Sequence, residues 1–420
     1  MPPVVLTTDG DAIRRLLTGD PLAKHHGNDA VRPLLDDRSV MLLEPAEHLE
    51  RRKLLLPPFH GERVSAYAKL MQRLIDGEVG RWRAGETVAV LPIAQNLTIE
   101  VILQAVLGVA GEEMRQRFRR LIDAILFYPF GSMRLRLSER LASSRITPRR
   151  RVREAAAFAA GLVSPAVSTY FPELKERSRW SFLIERWWQH HDRLFALLDE
   201  QIDATRADPD LAEREDILAM LVQARDGDGN ALSSEDLRND LLTLIAAGHE
   251  TTAAAIAWGA ILLAHNPEVR ERATASAHEN DERYLSALVK EVLRIRPPIP
   301  VAAGRVLEEP FEIGPHSIPA GTVILIDAWG VHHDPGRHPD PERFRPERFL
   351  GEAPEPYTWL PFGGGAHRCI GAALAELEIK VALSAILTQV AIAPADPELA
   401  PPARRGVVMV PHAGGRIRIA

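Results

Sequence analysis

From Ser233 to Pro267 the chain runs without an internal proline, with apolar side chains at intervals of three and four, the spacing of an amphipathic helix. Ser233 can cap the first turn, Asp236 stands three residues on as a capping-box acid, and Pro267 stops the run. About thirty residues at ~1.5 Å each make a rod of roughly 45 Å. A rod that long with an apolar middle must pass through the centre of the molecule.

The remaining pattern is mostly helical too. Ala12–Leu17, Val64–Trp82, Thr98–Leu107, Glu113–Leu126, Arg186–Thr205 and Gly371–Val390 repeat the spacing, and strand-like runs are short: Val4–Thr7, Thr322–Asp327, Val407–Val410 and Arg416–Ile419. The expected fold is mainly α with a small β-rich region built from both chain ends. No Gly/Ser linker divides residues 1–420, which are expected to form a single large domain. Seven prolines between Glu308 and Leu350 keep that stretch from being helical. Ser132–Arg153 holds eight arginines and one acid, Glu139, and reads as a solvated face or flexible loop.

Composition narrows the chemistry. A net charge of -6 provides no phosphate-tracking surface, so no nucleic acid is expected as a partner. One cysteine, Cys369, excludes an internal disulfide, a four-cysteine iron–sulfur cluster and a Cys-rich zinc site. Any redox chemistry therefore needs a borrowed cofactor. No window is apolar for the ~18 residues of a membrane span, and the N-terminus lacks a basic-then-apolar leader. The expectation is a cytoplasmic monomer.

The run Phe362-Gly-Gly-Gly-Ala-His-Arg-Cys369-Ile-Gly371 sets the cysteine after a glycine-rich turn and ahead of a helical pattern. Glycines let backbone N–H groups approach sulfur, and a helix N-terminus adds partial positive charge. Both favour the thiolate, the form that binds iron. A lone cysteine more often packs as a small hydrophobe, but three glycines beside His367 and Arg368 are poor core material. A nucleophilic cysteine with a histidine base and an orienting Asn or Asp also fits these residues.

This segment resembles the cytochrome P450 superfamily of haem-thiolate monooxygenases, whose signature F-G-x-G-x-H/R-x-C-x-G is met at Phe362, Gly363, Gly365, His367, Cys369 and Gly371. The resemblance implies haem b with Cys369 as the axial iron ligand, His367 on a propionate and Phe362 beside the sulfur, with Gly371 in the same cofactor loop. Ala247-Gly-His-Glu-Thr-Thr252 is similar to the family's A/G-G-x-D/E-T-T segment. It implies that Ala247 and Gly248 leave room for dioxygen and that Glu250 and Thr251 deliver protons. Thr251 can bond its i−4 carbonyl, which suits a local helix distortion. His249-Glu250 begins a zinc-type H-E-x-x-H, but Ala253 replaces the second histidine.

Glu291 and Arg294 have the family's E-x-x-R spacing, which recurs at Glu112/Arg115 and Glu342/Arg345. Its place upstream of Phe344-Arg-Pro-Glu-Arg348-Phe349 singles it out, and the resemblance implies a structural triad of Glu291, Arg294 and Arg348. His48, Arg52 and Arg305 are implied as further propionate partners. Candidate substrate contacts are Leu244, Ala247, Ile299, Val301, Ala302 and Ala303, an apolar set.

The implied reaction inserts one atom of O2 into a hydrophobic small molecule, with two electrons from a separate ferredoxin or flavodoxin and its reductase. A peroxide-driven peroxygenase and a non-catalytic haem-binding sensor or carrier are the alternatives. Two departures stand out. Val4–Thr7 corresponds to the family's second strand, so the first helix and strand are expected to be missing, through truncation or an internal start codon. Arg134–Val163 matches no family element and is read as an atypical insertion. The doublets His25-His26, His190-His191 and His332-His333 lack metal spacing and are expected at the surface.

Overall fold

The computed structural model describes residues 3–19, 23–24, 34–35, 37–126, 180–351 and 354–420. The arginine-rich run Ser132–Arg153, the whole of the unmatched segment Arg134–Val163 and His25-His26 lie outside the described residues. The helices are α1 (Gly10–Thr18), α2 (Pro45–Leu55), α3 (Glu62–Val79), α4 (Val90–Val101), α5 (residues 112–126), α6 (Trp180–Arg206), α7 (Ile217–Gln223), α8 (Ser234–His265), α9 (Pro267–Glu279), α10 (Glu282–Ile295), α11 (Ala328–His332) and α12 (Ala372–Gln389). The strands are β1 (Val4–Thr7), β2 (Ala23–Lys24), β3 (Thr87–Ala89), β4 (Val301–Leu307), β5 (Phe311–Ile313), β6 (His316–Ile318), β7 (Val323–Asp327), β8 (Ile392–Pro394), β9 (Pro402–Arg405), β10 (Val408–Pro411) and β11 (Arg416–Ile419).

Two compact units divide the chain, each assembled from separated segments. The first comprises Met1–Gly27, Leu55–Ala105 and Ala247–Ala420, and the second Asn28–Leu54 and Val106–Ala246. In the first, α12 packs on α3, α9 and α10. In the second, Arg51 of α2 reaches Asp240 at 2.9 Å and Asp236 at 2.7 Å on the opening turns of α8. Burial drives the Asp240 carboxyl up to about 6 even beside that guanidinium.

The long helix is present as α8, 32 residues, and the Asp236 N–H donates to Ser233 Oγ at 3.1 Å. Pro267 does more than end it: after Asn266 the proline occupies the first turn of α9, where a missing N–H costs nothing. The helix expected over Thr98–Leu107 starts earlier, at Val90. Pro92 sits in its first turn, whose N–H groups have no helical acceptor in any case. From Ile102 to Val106 the backbone widens to a π-turn.

The two chain ends enter different sheets. β1 lies parallel to β7 in a sheet ordered β1-β7-β4-β2, whereas β11 is the centre of β3-β11-β8. The β-rich region is therefore several small sheets. The proline-rich stretch also contains a helical turn, α11, capped by the Asp327 side chain on the Gly330 N–H, and a 3-10 turn at Pro346–Phe349. Against the first sheet lies a core of Ala12, Ile13, Leu16 and Leu17 from α1 with Phe311, Ile324, Ile326 and Leu360. Asp9 caps α1, and Gly19 ends it in the left-handed region at φ 88°. Among the described residues no helix is long and apolar enough to cross a membrane.

Candidate functional site

The cysteine loop hangs between Leu360 and the start of α12. The Cys369 N–H donates to the Phe362 carbonyl at 2.9 Å and the Gly363 N–H to that of Leu360 at 3.1 Å, closing the chain on itself. The loop rests on the end of α1. A Cβ on Gly365, which has φ 61°, would stand 1.6 Å from the Leu17 carbonyl oxygen, and one on Gly364 would stand 2.9 Å from the Leu17 Cδ1. Only glycine fits at Gly365. This packing presents Cys369 at an exposed position, with Gly371 capping α12. The Phe362 ring meets Trp359 edge-on at 5.9 Å, and the Trp359 indole N–H donates to the Lys290 carbonyl of α10.

Behind the loop, Glu291, Arg294 and Arg348 come together. Arg294 forks onto Glu291 at 2.7 and 2.9 Å, both side chains being 0% exposed. Arg348 Nε joins the same carboxylate at 3.0 Å, and the Arg345 N–H donates to it at 2.8 Å. The second guanidinium edge of Arg294 donates to the carbonyls of His332 and Pro341, each at 2.8 Å. Every polar atom of a desolvated pair is thus engaged, which a buried ion pair requires.

His332 corrects the surface expectation. It is 0% exposed, and its Nε2 accepts the Leu360 N–H at 2.7 Å. Burial pushes its pKa down to about 3, so the ring is neutral and free to accept. His338 acts alongside, its Nε2 2.9 Å from the Thr358 carbonyl. His333 stacks on Trp329, and His191 is buried against Phe195. Doublet spacing carried no sign of these tertiary partners; the one clue in the sequence was a position just upstream of the segment holding Arg348.

The middle of α8 changes character at the Ala247 motif. Ala247 is exposed while Ala253 to Ala264 are buried without a break. A Cβ on Gly248 would stand 3.4 Å from Ile102 Cδ1. The Thr251 hydroxyl donates to the Ala247 carbonyl at 2.7 Å, and the helix continues unbroken, because that carbonyl has a second lone pair to share. The expected distortion is absent. Glu250, 8% exposed, receives Gln95 Nε2 at 2.6 Å and Arg405 at 3.3 Å. Burial raises its carboxyl pKa, with Arg405 opposing. Gln95 and Arg405 were not foreseen, since neither belongs to the motif.

Arg305 tests the fit to a haem. On β4 it is 7% exposed, and among the described residues its guanidinium bonds only to the neighbouring Gly304 carbonyl and pairs with no carboxylate. Burial alone pulls its pKa down to about 10. A desolvated guanidinium without an anion is costly, and a propionate supplies the missing charge. The residues therefore fit the group: an exposed thiol on a glycine cradle and an orphaned buried cation in one unit. His48, which is buried, and Arg52, one turn on along α2, belong to the second unit, as does Leu244. Ile299 precedes β4, and Val301, Ala302 and Ala303 open it.

Comparison with known proteins agrees. A family model for cytochrome P450 matches residues 2–415. The chain is 34% identical to cytochrome P450 135B1 of Mycobacterium tuberculosis over 99% of this chain and 82% of that one. It is 33% identical to cytochrome P450 138 of Mycobacterium bovis, covering 99% and 86%. Among solved structures it superposes on the retinoic acid-bound cyanobacterial CYP120A1 with a TM-score of 0.78 at 23% identity, covering 99% of this chain and 89% of that one. The haem domain of cytochrome P450DA gives 0.78 at 20% identity, with 99% and 87% covered. Matched along almost its whole length by that family model and by these relatives, the chain belongs to the cytochrome P450 family and is a haem b-binding monooxygenase with the P450 fold.

Proposed function

We propose that this enzyme inserts one oxygen atom from O2 into a hydrophobic small molecule, using two electrons from a separate ferredoxin or flavodoxin and its reductase, as a single catalytic domain in the cytoplasm. The observation that carries the reading is Arg305, a buried cation lacking an anion in the same unit as the exposed Cys369 thiol. Cys369 would hold the haem iron through its thiolate. Arg305 and His367 would hold the propionates, and Gly371 and Phe362 would shape the loop around the sulfur. Haem b, when bound, supplies an iron whose thiolate ligand favours O–O cleavage.

The chain's own residues then do three things. The triad of Glu291, Arg294 and Arg348 keeps the cysteine loop at a fixed height. Ala247 and Gly248 leave space beside α8, where any larger side chain would intrude. Thr251 and Glu250 would move protons, the hydroxyl taking one from the carboxyl side and holding it at Oγ. Substrate would be held by apolar contact with Ile299, Val301 and Ala302.

The test is spectroscopic and catalytic. Reduced protein with carbon monoxide should show the red-shifted Soret band of thiolate ligation, and Cys369→Ala should abolish it. With redox partners and a substrate found by spectral-shift screening of fatty acids, terpenes, steroids and polyketides, NADPH should be consumed and oxygenated product formed. Product from hydrogen peroxide alone, with none from NADPH, would sink the oxygen-dependent reading.

A further inference from the structure

The Glu250 side chain leaves α8 toward two elements that the oxygen-site motif does not include. Gln95, on α4, donates to Oε2 at 2.6 Å; Arg405, at the end of β9, donates to Oε1 at 3.3 Å. His249 Nδ1 lies 3.9 Å from Oε2. These three are the titratable or polar groups facing the carboxylate among the described residues, and Arg405 is the cation closest to it.

The dependence runs one way. The β9–β10 hairpin is anchored independently of Glu250: the Met409 N–H donates to the Pro298 carbonyl at 2.8 Å, and the Met409 carbonyl accepts from the Trp258 indole at 3.1 Å. Arg405 itself is 38% exposed, so a single ion pair adds little to holding the hairpin. Glu250, by contrast, is buried and loses its countercharge if the hairpin moves. Gly406 turns the chain at φ 60°, and its neighbour Val407 is exposed, so the hairpin tip is an accessible apolar point next to the residue that governs the acid.

We propose that Arg405 and Gln95 are positioning residues for proton delivery: Arg405 sets a countercharge against the Glu250 carboxylate, and Gln95 sets the direction of that carboxylate. The proposal rests on the reading of Glu250 as proton donor. The carboxyl would take a proton from water and pass it toward the Thr251 hydroxyl, and Glu250 would then return to its pairing with Arg405. Burial raises the Glu250 carboxyl pKa, and Arg405 and Gln95 oppose that rise.

The experiment uses the full-length haem-loaded enzyme and four variants, Arg405→Gln, Arg405→Lys, Gln95→Leu and Glu250→Gln. The infrared carbonyl band of protonated Glu250, identified by its loss in Glu250→Gln, is followed against pH. Its midpoint should move to higher pH in Arg405→Gln and in Gln95→Leu, and return toward wild type in Arg405→Lys. Product formed per NADPH should fall in Arg405→Gln and recover as pH is raised. A hairpin tie with no other role would leave both pH profiles in place, and an unmoved midpoint in Arg405→Gln with the wild-type carbon monoxide spectrum overturns the proposal. If the midpoint moves but Glu250→Gln keeps wild-type product per NADPH, the delivery role fails for all three residues, together with the donor reading beneath it.

Discussion

Leu360 donates its backbone N–H to Nε2 of His332 at 2.7 Å, and the carbonyl of that same histidine receives Arg294 at 2.8 Å. One residue therefore joins the buried triad to the chain two positions ahead of Phe362. The cysteine loop inherits its height from a neutral imidazole.

His332→Ala should leave the Leu360 N–H without an acceptor and cost about 1–3 kcal/mol, read from urea denaturation. The pH dependence follows from the depressed pKa of about 3. Unfolding releases the ring to protonate near its ordinary value, so the unfolded state binds more protons below pH ~6.5. Stability should fall as pH drops from that value toward 3, and the variant should lose this part of the slope.

Gly365→Ala places a methyl 1.6 Å from the Leu17 carbonyl at a residue with φ 61°. Either α1 or the loop must give way. The expected result is a lower haem-to-protein ratio and a lower melting temperature, both measured on purified protein; full haem content would show that the loop yields without cost.

Glu378, on α12, is buried, and among the described residues its Oε1 has no hydrogen-bond partner; burial pushes its pKa up to about 8. Here the folded state holds the extra proton. Stability should be greatest below pH ~4.5, decline as pH rises toward 8, and level off above it. Glu378→Gln should flatten that decline in a series of denaturant titrations.

Thr251→Ala removes the bond to the Ala247 carbonyl but substitutes a better helix former. The melting temperature should hold or rise while product per NAD(P)H falls. Unchanged product per NAD(P)H would remove Thr251 from the relay.

How far the sequence could be read depended on where each signal was stored. The long helix, β1, β11 and the cysteine loop carry their information locally, in periodicity or in a short run of residue types. Glu291/Arg294 and Glu112/Arg115 share a spacing, and both pairs form in the structure, but Glu112 is 65% exposed and Glu291 is 0%. Burial separates the pair that matters from the one that does not, and spacing does not encode burial. His332 and Arg405 were missed for a related reason: each acts through a partner distant in sequence, Leu360 and Glu250. Pro92 and Pro267 look like helix breakers until their first-turn positions are known.

The pairing of β1 with β7 has a consequence for how the chain comes into being. Thr7 finds its partner at Ile326 and Val4 at Val323. At ~5–20 residues per second, a ribosome needs roughly 15 to 65 seconds to make the strand that β1 must wait for. Through that interval the backbone of Val4–Thr7 lacks its ladder partner, and so does β3, whose mate is β11. Synthesis of this enzyme therefore includes a long exposed interval at its N-terminus, one that a trigger-type holding chaperone, slowed translation or lowered temperature would protect.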